Sequence, residues 1–362
     1  MEAKNVSIPR IAVLGAGIFV RTQYIPRLRE LVNSVVVAAI WSRSEESAKT
    51  AVKLAVDFSP NVECKWGDDG LDEIARDDSI DAVAVVLAGQ AQVQMSLKML
   101  KAGKHVIQEK PASVANDESE AALSQYKAFC SNALGQPIWA VAENYRFEPA
   151  FLEAQKLIKD DIGDLMNVQL IAEGSMNSSN PYFSSSWRRD FDGGFILDMG
   201  VHYIAALRMV VGEVSTVSAV SRHVNLELPP PDNLSALFQL ENGCAGIFVM
   251  TVSSKSPKIY WRIVGSKGTV QVERGNIDGK HGYSVLFWNA DGKCQKTFHP
   301  FCGVNEELKA FFNDVTQAKW KGAIHKADPR SLFVEGARDI AVLEAMLESS
   351  QKQGEQVGVK KF

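Results

Sequence analysis

The chain has 362 residues, 46% of them hydrophobic, which suits two domains and a sizeable core. Formal net charge is -4, with acids and bases interspersed and no basic block, which argues against nucleic acid as a partner. The five scattered cysteines, Cys64, Cys130, Cys244, Cys294 and Cys302, form no CxxC pair, so plain thiols in a reducing compartment are expected rather than disulfides or a metal site.

The N-terminus MEAKNVSIPR carries an acid and no apolar stretch, and no run approaches a membrane span, so the reading is a cytoplasmic protein. RIAVLG predicts a first buried strand, closed by glycine. RTQYIPRLREL follows with helical spacing and holds Pro26 in its early part. SVVVAAIWS predicts a second strand, and SEESAKTAVKLA a helix with Ser44 at its N-cap. DAVAVVL, HVIQE and IWAVAENYRF predict further strands. Helices over QVQMSLKMLKAG, closed by Gly103, and NDESEAALSQYKAFCSNA separate them. Strict alternation of strand and helix implies right-handed βαβ units and a doubly wound parallel sheet covered on both faces.

After residue 150 the rhythm changes. PAFLEAQKLIKDD predicts a helix, LMNVQLIAEGS a strand, and SMNSSNPYFSSSWRRDFDGG a long loop of the kind that usually carries function. A helix with Asp198 and His202 follows. If it starts near Asp198, both side chains lie on one face of its first turn, where a proton is readily organised. STVSAVSRHVNLEL predicts a strand and PPPDN a rigid break. Three hairpins follow, turning at Asn242-Gly243, Gly265 to Gly268 and Asp291-Gly292, and helices around 304–318 and 330–351 close the chain. The fold class is α/β. A nucleotide-binding Rossmann domain spans 1–147, and an α+β domain with a large, mostly antiparallel sheet spans 148–362.

Three stretches carry chemistry. Gly15-Ala16-Gly17-Ile18-Phe19 lies between the first strand and first helix, where a dinucleotide turn belongs, although Val20 stands in place of a third glycine. The second strand ends Trp41-Ser42-Arg43-Ser44, and the first acid, Glu45, is already past its tip. A guanidinium and hydroxyls bind a 2′-phosphate that an acid would repel, so NADP(H) is predicted over NAD(H). Glu109-Lys110-Pro111 ends a parallel strand. Pro111 stops the ladder and aims Lys110 into the cleft, where an ammonium polarises a carbonyl or passes a proton.

With these residues in hand, the chain resembles the glucose–fructose oxidoreductase / inositol dehydrogenase (Gfo/Idh/MocA) family of NAD(P)-dependent oxidoreductases. The likeness is closest to a fungal and plant NADP-dependent subgroup. It rests on VLGAGIF, DAVAVV, AGKHVIQEKP, ENYRFEP, IGDL, GGFILDMGVH, VGSKGTV and LESSQKQG, spread over most of the length. The resemblance implies that Lys110 touches the nicotinamide ribose and the reacting oxygen. His202 is implied as proton donor or acceptor, and Asp198 as the group that orients it or binds a hydroxyl. Trp187 and Arg188 are implied near the nicotinamide, with Leu87 and Glu109 in the cofactor-binding set and Asn144 and Tyr145 lining the substrate side. The family usually has an aspartate three residues after the histidine and a threonine-proline-asparagine run after the fourth strand. Here Ala205 and LAGQAQ, Leu87 to Gln92, stand there. A homodimer through the second sheet is also implied. The expected function is NADP(H)-dependent hydride transfer to or from a small carbonyl, alcohol or sugar-like substrate. The alternative is a catalytically silent NADP(H)-sensing regulator on the same fold.

Overall fold

A computed structural model describes residues 8–130, 136–190, 192–321 and 325–362. The chain forms two compact units. Unit one comprises the described residues of Met1–Ser113, Asp117–Ala142 and Val304–Gly336, and unit two those of Val114–Asn116, Glu143–Gly303 and Ala337–Phe362.

In unit one the strands are β1 (Arg10–Leu14), β2 (Val36–Ser42), β3 (Glu63–Trp66), β4 (Ala82–Val85), β5 (His105–Glu109) and β6 (Trp139–Ala142). They form one parallel sheet in the order β3-β2-β1-β4-β5-β6, with the chain reversing direction across the sheet between β1 and β4. The helices are α1 (Ile25–Glu30), α2 (Glu45–Ala55), α3 (Gly67–Arg76), α4 (Gly89–Lys101) and α5 (Asn116–Cys130). The central strands are apolar at successive positions, as sheets covered on both faces require. The pair β3 and α3 escaped the periodicity reading because Glu-Cys-Lys-Trp is a polar edge strand with no fully buried residue. Pro26 falls in the first turn of α1, where its missing N–H costs nothing, and a π-turn over Val20–Tyr24 precedes it.

Unit two contains α6 (Pro149–Asp160), β7 (Leu165–Ser175), α7 (Ser186–Arg189), α8 (Gly194–Val211), β8 (Val214–Arg222), β9 (Asn233–Leu240), β10 (Ala245–Thr251), β11 (Ser253–Gly265), β12 (Thr269–Ile277), β13 (Lys280–Trp288) and β14 (Cys294–Pro300). Helix α9 (Gly303–Lys321) belongs almost wholly to unit one, α10 (Phe333–Gln351) leads the chain back into unit two, and β15 (Val357–Gly358) follows. The nine strands run β14-β13-β12-β11-β7-β10-β9-β8-β15, antiparallel except where β7 lies parallel to β10. The three expected hairpins are present. Phe238, Phe248, Trp261 and Tyr283 face inward beneath α6 and α8. Helix α8 has a mean hydropathy of 1.5 and is 83% buried, so its apolar composition serves the core of this unit.

Three differences from the sequence reading have clear causes. The strand expected over IWAVAENYRF stops at Ala142, because the Glu143 carboxylate accepts the Tyr145 N–H and turns residues 144–147 into a 3-10 segment. Strand β8 ends at Arg222, where the Asp232 carboxylate accepts the N–H groups of Val224 and Asn225, both at 2.7 Å, and bends the chain away. Against the expected division at 147/148, the chain passes between units at Ala142/Glu143 and returns to unit one over 304–336. Leu308, Phe311, Phe312 and Val315 of α9 form a helical stripe that joins the buried cluster of Ile11, Val13, Ile40 and Ile107.

Candidate active site

The nucleotide-side residues gather at the carboxyl ends of the unit-one strands. Gly15 has φ of 133°, and a Cβ there would sit 2.2 Å from the Val86 carbonyl oxygen, so only glycine fits. A Cβ on Gly17 would meet nothing within 4 Å, which leaves open space over an exposed backbone. Ile18 is exposed and Phe19 half-buried. Val20, in the third-glycine position, is fully buried, and the wider π-turn that starts with it accommodates the side chain. This cradle, open at Gly17 and closed at Gly15, fits a pyrophosphate.

Ser42 is half-buried at the end of β2 and Arg43 is exposed beside it. Ser44 caps α2 by position, but its hydroxyl pairs with Ser47 Oγ at 3.0 Å rather than with the backbone. Leu87 is half-buried just beyond β4. Glu109 is buried and Lys110 half-buried at the end of β5, and the Lys110-Pro111 peptide is cis. The loop is held from behind. Gln108 Nε2 donates to the Ala112 carbonyl at 2.8 Å, and Gln92, where the family run is missing, reaches the Lys110 carbonyl at 3.5 Å. Burial, with the charges of Glu109 and Glu307, pushes the Tyr24 phenol well above its ordinary pKa.

The residues expected on the substrate side gather in unit two around α8. The helix starts at Gly194 rather than near Asp198, so Asp198 and His202 lie in its second and third turns. The Asp-Gly-Gly entry is a packing requirement: Gly193 has φ of 81°, and Cβ atoms on Gly193 and Gly194 would lie 2.8 Å from Leu347 and 2.9 Å from Pro229. Asp198, only 3% exposed, accepts from Arg188 Nε at 2.7 Å. The Arg188 guanidinium stacks over Trp187 at 4.1 Å and Tyr182 at 4.8 Å, and reaches Ser185 Oγ at 3.1 Å. Trp187 and Arg188 are thus tied to α8.

The carboxylate that holds the histidine is Glu143, not Asp198. Glu143 Oε1 lies 2.6 Å from His202 Nδ1, and the imidazole stacks on Tyr145 with centroids 4.8 Å apart. With Nδ1 and one ring face so held, Nε2 is the ring nitrogen left to exchange a proton. Tyr145, expected to face substrate, is instead buried as the backing wall of His202, and burial raises its phenol pKa. Asn144 beside it is half-buried. Ala205 is fully buried and offers no polar group in place of the family aspartate. Behind this layer Asp339 bridges Arg146 at 2.5 Å and Arg208 at 2.6 Å, and Arg208 also holds Glu213 at 2.7 Å. All but Glu213 are almost fully buried. Sequence reading missed Glu143. Its one signal was an acid directly following the last apolar residue of a parallel strand.

A parallel sheet with a glycine cradle, and a second unit in which a buried carboxylate holds a half-buried imidazole, stand beside a match to a dinucleotide-binding oxidoreductase family. Residues 9–128 match the oxidoreductase family model with an NAD-binding Rossmann fold, and residues 151–271 match the Gfo/Idh/MocA C-terminal domain model. The chain is 31% identical to dehydrogenase FPY6 of Fusarium mangiferae over 97% of its own length and 99% of that protein's. Its structure resembles an oxidoreductase from Thermotoga maritima, with a TM-score of 0.81, 26% identity and coverage of 98% and 99% of the two chains. Levoglucosan dehydrogenase, solved in complex with NADH, shares the fold at a TM-score of 0.77, with 21% identity over 98% and 100% of the two chains. The chain belongs to the Gfo/Idh/MocA family of oxidoreductases.

Proposed function

We propose that this protein is an NADP(H)-dependent dehydrogenase or reductase acting on a small alcohol, carbonyl or sugar-like substrate. Gly15, Gly17, Ile18 and Phe19 would cradle the pyrophosphate, Ser42 and Arg43 the 2′-phosphate, and Leu87, Glu109, Trp187 and Arg188 the nicotinamide end. When bound, the dinucleotide supplies the hydride acceptor or donor. The chain's own residues do the rest. Lys110 polarises the reacting oxygen. His202 Nε2 takes the hydroxyl proton when an alcohol is oxidised and returns it when a carbonyl is reduced, so charge balances in both directions. Glu143 fixes the ring and stabilises its protonated form, and Tyr145 blocks one face. Asp198, held by Arg188, would orient a substrate hydroxyl.

The observation that carries this reading is the 2.6 Å Glu143–His202 pair, one helical turn from the Asp198–Arg188 pair. A nucleotide sensor needs the phosphate cradle and has no use for such a proton relay. The test is a fluorescence titration with NADPH and NADH, then a panel of carbonyls and alcohols followed by nicotinamide absorbance. NADPH binding at least tenfold tighter than NADH, with turnover of a panel member, is expected. Binding without any turnover would favour the sensor.

The open face of the nine-stranded sheet supports a homodimer. Val220 and Leu237, both 57% exposed, and Ile247, 38% exposed, share that face on the neighbouring strands β8, β9 and β10. Light scattering at micromolar concentration is expected to give twice the chain mass, and a strictly monomeric mass removes this assignment.

A further inference from the structure

The inner face of the large sheet carries a cation that the reading above does not use. Arg274 on β12 stands opposite Tyr283 on β13, and so lies on the face of Trp261 and Tyr283 rather than on the open one. Its guanidinium rests over Phe301 at 5.2 Å. Partial burial of the head disfavours its charge. Tyr145, Tyr283 and Tyr203 lie within electrostatic reach, and the nearby carboxylate of Glu148 favours the charged form. Glu148 is itself committed, accepting the N–H groups of Cys302 at 3.2 Å and of Gly303. Among the described residues no oxygen accepts a hydrogen bond from Arg274. The neighbouring arginines of this unit differ: Arg146, Arg188 and Arg208 each hold a carboxylate.

An unpaired arginine on an open surface is ordinary. This one is exposed as a residue, so a small solute can reach it, while its head lies over the Phe301 ring and near the phenols of Tyr145, Tyr283 and Tyr203. It is also linked to the proton-handling group. Tyr145 carries His202 stacked on its ring and lies within electrostatic reach of Arg274, with its hydroxyl bonded to that of Tyr283. A planar fork of N–H donors with no protein acceptor matches an oxyanion.

We propose that Arg274 is a specificity-determining residue that binds a carboxylate or phosphate group of the substrate, so that the protein acts on an acidic rather than a neutral small alcohol or carbonyl. This rests on the proton-handling role of His202 proposed above. A sugar acid or sugar phosphate fits, because its anionic end and its reacting carbon are separated by a few atoms.

The test is calorimetric titration of the full chain, without dinucleotide, using D-glucuronate, glucose 6-phosphate and D-glucose. Wild type is expected to bind one of the two anions at least tenfold more tightly than glucose. Arg274→Gln removes that preference, and Arg274→Lys, which keeps the charge but loses the fork, retains part of it. The anion whose binding is lost tells carboxylate from phosphate. Thermal melts confirm that each variant is folded, and Arg274→Lys carries the comparison if Arg274→Gln does not fold. Two results overturn the proposal: wild type binding both anions no better than glucose, or a folded variant binding them as wild type does. Because binding is read without turnover, His202→Ala should keep the anion preference. Absence of hydride transfer would count against the proposed function alone, whereas loss of the Arg274 effect with turnover intact would count against this inference alone.

Discussion

The two units build their sites from different materials. In unit one the dinucleotide cradle is made by backbone: Gly15 in a conformation and a space closed to any side chain, open backbone at Gly17, and a proline that ends β5 after Lys110. In unit two the site is made by side chains that meet from distant positions, with Glu143 and His202 59 residues apart and Arg208 and Asp339 131 apart. A backbone site is written in a few adjacent residues and tolerates change around it. A side-chain site depends on the charges buried behind it.

The comparison can be broken or sharpened by experiment. The largest effect is expected at Asp339→Ala, which leaves the Arg146 and Arg208 guanidiniums facing each other in the interior. It should cost about 3–5 kcal/mol of stability in chemical denaturation. A loss below about 1 kcal/mol would show that the buried charges are not what holds unit two together.

Unit one has its own buried ionisable group. His105 Nδ1 accepts the Ile138 N–H at 2.9 Å. Burial, with His325 and Lys319 reinforcing it and Asp81 opposing, lowers the ring from 6.5 to about 4. The folded state therefore prefers the neutral ring. Stability is full above pH 6.5 and falls as the unfolded chain takes up a proton that the folded chain refuses, until the pH reaches about 4. That shift corresponds to about 3 kcal/mol. Denaturation midpoints across this window should show the slope in wild type and a flatter profile in His105→Gln, and identical profiles would contradict it.

Gly15→Ala should cost about 1–3 kcal/mol through backbone strain, and should weaken dinucleotide binding while leaving unit two's Glu143–His202 pair intact. The smallest effect is expected at Arg43→Ala. NADPH affinity should fall by about tenfold, as loss of a charge-assisted contact implies, while NADH affinity stays level. Equal changes for both dinucleotides would remove the 2′-phosphate role.

This contrast also explains what could be read in advance. The βαβ alternation, the three hairpins and the tight glycine turn after β1 follow from local pattern and from glycine and proline, so they were legible. Asp198 and His202 stood out as polar residues in an apolar helix, but spacing along α8 pointed each at the other. The fold instead gives Asp198 to Arg188 and His202 to Glu143. Nothing local distinguishes Glu143 from an exposed acid after a strand. Only the 3-10 turn that draws Asn144–Phe147 away from the sheet brings it to α8. Tyr145 was recognisable as a site residue, but its place behind the imidazole depends on an aromatic cluster contributed by α6, α8, β11 and β13.

The account turns on His202 exchanging a proton while Glu143 holds it. The most direct test is steady-state turnover of wild type, His202→Ala, Glu143→Gln and Glu143→Asp on one panel substrate at saturating NADPH. The account predicts that kcat falls by about two to four orders of magnitude in His202→Ala. It predicts a smaller fall in Glu143→Gln with KM nearly unchanged, and partial recovery in Glu143→Asp. Wild-type kcat in a folded His202→Ala protein would contradict it.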